Sequence, residues 1–252
     1  MILRAHNPRK TTACSGCRFL LCFRAKSVPA LLNSYQKHGI MDKIQKQKNR
    51  TRRHFMSTQV YTLHIAYDNF ENKIWRTVEI SGNNTLAQVG YLILATFDTL
   101  AYHAFEFTYK NTAYALPMIL EEEPIEGAVD STRIKLRRLG LSVGDRFEME
   151  YDYGCPQIFK IRVDAITEME HGRGRHYPYI LDGRGRGILD DVSANDFGDI
   201  IAQIDAAGKS DYHVERDGSD VVWDYREFDI EYENIFLKET VAMIREGYEC
   251  EE

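Results

Sequence analysis

Residues 60–97 read VYTLHIAYDNFENKIWRTVEISGNNTLAQVGYLILATF, and within them the spacing of the apolar residues changes from two to about 3.6. In residues 60–67, Tyr61, Leu63, Ile65 and Tyr67 fall on one face of an extended chain. In residues 73–80, Ile74, Val78 and Ile80 do the same. The DNFEN between them is rich in turn formers, so the two runs read as a hairpin. Beyond it, Thr85 with Gln88 three residues on is a capping-box signature. Leu86, Val89, Ile93 and Phe97 follow at helical spacing, which predicts a helix lying across the apolar face of the hairpin. Trp75 points to the opposite face. Large aromatics are mostly buried, so a helix or the C-terminal segment is expected to cover it.

Working outward, AFEFTY (residues 104–109) and RFEMEYDY (146–153) alternate strictly and read as strands. FKIRVDAI, from Phe159, is the expected partner of RFEMEYDY across a GCPQ turn. Two helices are expected in the C-terminal third. One starts after Ser193 and turns Phe197, Ile200, Ile201 and Ile204 inward; the other buries Ile235, Phe236, Leu237, Val241 and Ile244. The order ββαβ, then ββ, then two helices implies an α+β fold with a largely antiparallel sheet covered by helices.

The charge divides the chain into two parts. Residues 1–55 carry thirteen Lys and Arg against one acidic residue, Asp42. Residues 56–252 carry 19 basic and 37 acidic residues. A basic arm of +12 therefore precedes an acidic body of −18, which is read as one α+β domain. The arm lacks the apolar core of a secretory signal. Three readings stay open for it: sequence upstream of a true start at Met56, an organelle address, or a cationic tail that grips nucleic acid. Its composition predicts disorder. Its CSGC, at residues 14–17, lacks both a preceding strand and a full set of four zinc ligands. Two distant body cysteines, Cys155 and Cys250, form no disulfide framework, so a cytoplasmic location is expected. No apolar run approaches a membrane span.

Motifs for known chemistries are missing: there is no nucleophile elbow, Walker loop, HExxH or EF-hand. No cofactor is implied. The most unusual stretch is HGRGRHYPYILDGRGRGILDD, residues 171–191, with four arginines and five glycines. It reads as a loop. Arg173, Arg175, Arg184 and Arg186 are candidates for binding phosphate or nucleic acid, since arginine forks match phosphate oxygens. The competing reading has these arginines pairing with the body's surplus carboxylates. Candidate acid, base or ligand groups are His103, Asp152, Asp190 and Asp191. A hydrolytic centre would gather those four in one place, whereas an interaction domain would scatter them.

The succession YTLHIAYDNFENKIWRTVEI, TLAQVGYLILATFDTLAYHAFEF, VGDRFEMEYDYG, YPYILDG and FDIEYENI resembles the plasmid pRiA4b ORF-3-like family over about residues 59–245. Ile74-Trp75-Arg76, Thr85-Leu86, His103 with Phe107, Gly144-Asp145 and Asp152-Tyr153-Gly154 carry the match. The resemblance implies a compact α+β domain. It also implies a TnpR-like passenger of an insertion element, although the chain offers no recombinase serine or tyrosine site. The chain departs from the family at Cys155, Pro156, Gln157 and Phe159, where relatives have an acidic pair, a Trp and a His. Ile180 and Gly187 stand where relatives have two cysteines. With that pair absent, a body without stoichiometric zinc is expected. The combined reading is a non-catalytic interaction domain associated with plasmids or mobile elements, with a protein or nucleic acid as partner. The alternatives are a hydrolytic or phosphodiester-processing enzyme, and nucleic-acid binding through the Arg-Gly stretch.

Overall fold

The computed structural model describes residues 58–250 apart from 123, 171 and 217. The readings made for residues 1–55 lie outside the described residues.

The hairpin forms as its alternation requires. β1 (Gln59–Tyr67) pairs antiparallel with β2 (Trp75–Ser81), from Val60 opposite Ser81 to Ala66 opposite Trp75. Asn69 takes the left-handed conformation in the turn, at φ 65°, which asparagine tolerates. Tyr61, Leu63, Ile65, Tyr67, Ile74, Val78 and Ile80 are all buried. α1 (Leu86–Thr96) follows, with both halves of the Thr85–Gln88 capping box made. It buries nine of its eleven residues, because the sheet covers one side and the C-terminal helix the other. Gly90 lets α1 approach closely: a Cβ there would stand 2.3 Å from the Phe105 ring.

β3 (Phe105–Tyr109) and β4 (Thr112–Ala115) form a second hairpin, followed by the short α2 (Pro117–Glu122) and the two-residue β5 (Val129–Asp130). β6 (Arg146–Tyr151) and β7 (Gln157–Glu168) form a third hairpin, with Met149 opposite Phe159. β8 (Tyr179–Arg184) lies inside the Arg-Gly stretch. α3 (Ala194–Ala207), a small hairpin of β9 (His213–Arg216) and β10 (Ser219–Val222), and α4 (Ile230–Glu249) complete the body. The main sheet runs β5-β4-β3-β6-β7-β1-β2-β8, antiparallel except for β4 against β5. The architecture is α+β. No helix among the described residues is long and apolar enough to cross a membrane.

Three details differ from the sequence expectations, and a fourth lies outside them. The Arg-Gly stretch is not a plain loop, since Tyr179–Arg184 pairs with β2 and extends the sheet. The strand's free edge is closed by the side-chain amide of Asn234, which accepts from the Ile180 N–H at 2.8 Å and donates to the Ile180 carbonyl at 2.9 Å.

Second, α4 is rotated from the expected face. Leu237 is buried and Val241 and Ile244 pack on the core, but Ile235 and Phe236 face outward. A run of three consecutive apolar residues cannot share one helix face, and Leu237 takes the inner one. Third, Trp75 is only half-buried; its ring lies 5.3 Å from that of His64 on the outer face of the sheet. Adjacent strands present neighbouring side chains on that face, and the two rings shelter each other.

Fourth, Arg76 shares the apolar face of β2 with Ile74, Val78 and Ile80 and is fully buried. Its guanidinium donates to the carbonyls of Thr96, Trp75, Arg184 and Arg186 at 2.8–2.9 Å. The group also stands 3.7 Å above the Phe228 ring. Burial pushes its pKa down, while the charges of Glu233 and Asp98 push it up. Five donors in a planar fork suit it to hold the end of α1, β2 and the Arg-Gly stretch together.

Candidate functional site

Three loops meet beside the end of β6. The first leaves α1 and carries Tyr102 and His103. Asp98 and Ala101 both adopt positive φ in it, at 52° and 55°. The alanine methyl disfavours that conformation and offers no polar group to offset it, so the loop is held by its surroundings. The second loop begins at Asp152, also left-handed at φ 64°, whose Oδ1 accepts from the Gly154 N–H at 2.9 Å. The third carries Asp190 and Asp191, the latter at φ 60°.

Gly187 brings that third loop in. A Cβ on it would stand 2.1 Å from the Phe97 carbonyl oxygen, and its φ is 153°. Ile188 then donates its N–H to the same carbonyl at 3.0 Å. The chain thus crosses directly over the end of α1. Gly185 makes a similar close passage, with 2.4 Å between its would-be Cβ and the Lys73 carbonyl. These two glycines of the Arg-Gly stretch make room for packing.

His103 lies at the meeting point. Its Nε2 is 3.0 Å from Asp191 Oδ1 and 3.5 Å from Asp152 Oδ2. One ligand atom from each of the three residues lies within 4.8 Å of the others. The Asp152 side chain is almost wholly buried, His103 is about a quarter exposed, and Asp191 opens to solvent. Tyr102 donates its hydroxyl to Asp191, and this bond, with help from His103, holds the Asp191 carboxyl below the usual range.

Asp190 stands behind the cluster. Its carboxylate accepts from Tyr151 Oη at 2.8 Å and from the Leu100 N–H at 2.9 Å. Burial pushes the Asp190 pKa up, and those two donors partly offset the effect. Cys155 is close enough to feel Asp152 and Asp191; burial first, then those charges, push its thiol pKa up. A thiol so placed is protonated at neutral pH and is a poor nucleophile.

All four acid, base or ligand candidates, His103, Asp152, Asp190 and Asp191, are therefore brought together. The four arginines are not. Arg173 pairs with Glu170 at 3.2 Å in an exposed turn, and Arg175 is exposed in the same turn. Arg184 reaches the Asn72 carbonyl at 3.1 Å. Arg186 is half-buried against Asp98 at 3.1 Å and Glu227 at 3.4 Å. β8, which ends at Arg184, separates Arg173 and Arg175 from Arg184 and Arg186 along the chain. Sequence reading missed Tyr102 and Tyr151, the hydroxyl partners of the two aspartates. Their neighbours in the chain give no signal, since both partners lie far off in sequence.

Residues 59–234 match the family described as plasmid pRiA4b ORF-3-like protein. The chain belongs to that family. No curated protein matches it. Among solved structures, this plasmid pRiA4b ORF-3-like chain is similar to the protein of unknown function MM3350 from Methanosarcina mazei Go1. The two are 18% identical with a TM-score of 0.56, over 70% of this chain and 97% of the other. That likeness concerns the fold of the pRiA4b ORF-3-like body. His103, Asp152 and the Ile74-Trp75-Arg76 run lie within the matched residues.

Proposed function

We propose that the body is a hydrolytic protein in which His103, Asp152 and Asp191 hold a divalent cation. The observation that carries this reading is the convergence of three ligand atoms within 4.8 Å, one from each of three loops. Donor atoms bound to a small divalent ion at about 2.1 Å stand about 3.0–3.5 Å apart when adjacent, and the two His103 distances are 3.0 and 3.5 Å. A nearly buried carboxylate and a second one aimed at the same imidazole repel each other unless a positive charge lies between them. One imidazole and two carboxylates suit zinc, manganese or iron better than magnesium. Such an ion would lower the pKa of a bound water and supply hydroxide at neutral pH. Asp190 and Tyr151 would fix the loop that presents Asp191. The expectation of no zinc was argued from missing cysteines, and this donor set does not use them.

Calorimetric titration of the chain with Mn²⁺ and Zn²⁺ tests the reading. One site per chain is expected, lost in His103→Asn and in Asp152→Asn. Absence of a saturable site, or equal binding by both variants, would overturn it.

A second reading, the non-catalytic interaction domain, is favoured by α4, whose outer face exposes Tyr232, Ile235, Phe236 and Met243. Binding of nucleic acid through the Arg-Gly stretch is supported less, because Arg173 and Arg186 pair with carboxylates of the body. Association with plasmids has the family's description alone behind it, and association with mobile elements only the resemblance read from the sequence.

A further inference from the structure

Tyr102 and His103 also line a cavity of about 950 Å³, walled by Tyr91 of α1, Glu121 of α2, and Tyr248 and Glu249 of α4. We propose that this cavity receives a cationic group, an ammonium or guanidinium on an apolar stem, and so presents a basic substrate to the cluster. The inference rests on the hydrolytic reading of His103, Asp152 and Asp191.

Charge is the first support. Among the described residues, two carboxylates line the cavity and no Lys or Arg does. Glu121 is exposed, and Glu249 is exposed as well, with Arg245 at 3.8 Å and the Tyr91 hydroxyl as its neighbours. The body's excess of 37 acidic over 19 basic residues adds a field that draws cations in and repels anions.

An anion has one apparent attraction here, because Thr85 and Gln88 at the start of α1 lie on the same wall. A helix N-terminus binds anions through its free N–H groups. Those groups are already used: Leu86 donates to Ile134, Ala87 to Ser131, Gln88 to the Thr85 hydroxyl and Val89 to the Thr85 carbonyl. None of these four backbone N–H groups remains for a phosphate or carboxylate.

The walls suit the stem and the cation together. Met118, Leu116 and Pro117 supply apolar surface, and Tyr102 is half exposed beside His103. An aromatic face attracts an ammonium or guanidinium group. Tyr91 stacks on Tyr248 at 5.4 Å between centroids, and its hydroxyl lies buried. Burial, then the charge and the hydrogen bond of Glu249, push the Tyr91 pKa up, so this wall stays neutral beside the Glu249 carboxylate. Tyr248 donates to the His103 carbonyl and ties this wall to the cluster.

Calorimetry on the full chain tests the inference with Nα-acetyl-lysine amide, Nα-acetyl-arginine amide, spermidine, the neutral Nα-acetyl-norleucine amide and inorganic phosphate. At least one cationic probe is expected to bind about tenfold or more tighter than the norleucine amide. The double variant Glu121→Gln/Glu249→Gln should lose that preference while its Mn²⁺ titration stays that of the parent chain. Tighter binding of the amides marks a basic peptide, and tighter binding of spermidine a free polyamine. Equal binding of the norleucine amide, preferred binding of phosphate, or an unchanged preference in the double variant would each overturn the proposal. A chain that prefers the cationic probes but binds no metal supports the amine site and overturns the hydrolytic reading alone.

Discussion

Gly187 passes so close to Phe97 that a Cβ on it would lie 2.1 Å from the Phe97 carbonyl oxygen. This contact sets the position of Asp190 and Asp191 three and four residues later. Gly187→Ala must therefore move the loop as well as strain its backbone. A loss on the order of 3 kcal/mol is expected in urea melts, together with loss of Mn²⁺ binding. Gly172→Ala is the control, because its Cβ would meet nothing within 4 Å. It should cost about 1 kcal/mol from its positive φ alone and leave metal binding intact.

Arg76 supplies donors to four carbonyls, of which that of Thr96 is reached in the buried interior and those of Trp75, Arg184 and Arg186 are partly buried. Arg76→Leu should destabilise the body by about 3–5 kcal/mol, because the Thr96 carbonyl stays buried without its donor and three partly buried carbonyls lose theirs. Arg76→Lys should recover only part of this, since an ammonium has three donors and no planar fork. Chemical denaturation of both variants checks the order.

The Tyr102 hydroxyl is the main reason that the Asp191 carboxyl lies below its ordinary pKa. A depressed carboxyl contributes stability above the unfolded value of about 3.9 and loses it as pH falls through the folded value. Asp190 has the opposite slope, because burial pushes its pKa up and its cost eases as it protonates. Comparing the parent chain with Tyr102→Phe isolates Asp191. Urea midpoints taken between pH 5 and pH 2 should fall more steeply for the parent chain; parallel curves would contradict the assignment.

Asn234 makes two hydrogen bonds to the backbone of Ile180. Asn234→Ala should cost about 1–3 kcal/mol and leave an N–H and a carbonyl unpaired on an outer strand. Exposed strand edges recruit other strands, so light scattering should show association that grows with concentration.

The half-buried position of Trp75 changes what its removal should do. A core site would lose about 3–5 kcal/mol on Trp75→Ala. On the outer face, half-buried beside His64, about 1–2 kcal/mol is expected. Thermal or urea unfolding distinguishes the two.

Strict alternation made the central strands legible: Tyr61 to Tyr67, Phe105 to Tyr109 and Phe147 to Tyr151 each have one buried row. The Thr85–Gln88 box marked the start of α1. Arg76 could not be read as buried, because a charged residue among apolar ones looks like solvent face until its carbonyl partners are known. α4 was misjudged where Ile235, Phe236 and Leu237 are adjacent, since three apolar neighbours leave the helix phase undetermined. The chemistry at His103, Asp152, Asp190 and Asp191 was legible as residue types. Their meeting was not, because it depends on left-handed backbone at Ala101, Asp152 and Asp191 and on a glycine whose need appears only in the packing.

The strand order also governs how the chain can assemble. β2 follows β1 at once, and β7 follows β6, so each of these hairpins closes locally. β1 must also pair with β7, Gln59 against Glu168, and that seam in the middle of the sheet joins segments about a hundred residues apart. During synthesis the first hairpin therefore waits with one edge of β1 open until β7 leaves the ribosome, and the Ile180 edge waits for Asn234. Such late closure slows folding and exposes unpaired strand edges on the way. The nascent chain is thus most vulnerable before β7 emerges, and its last helix seals the far edge of the sheet.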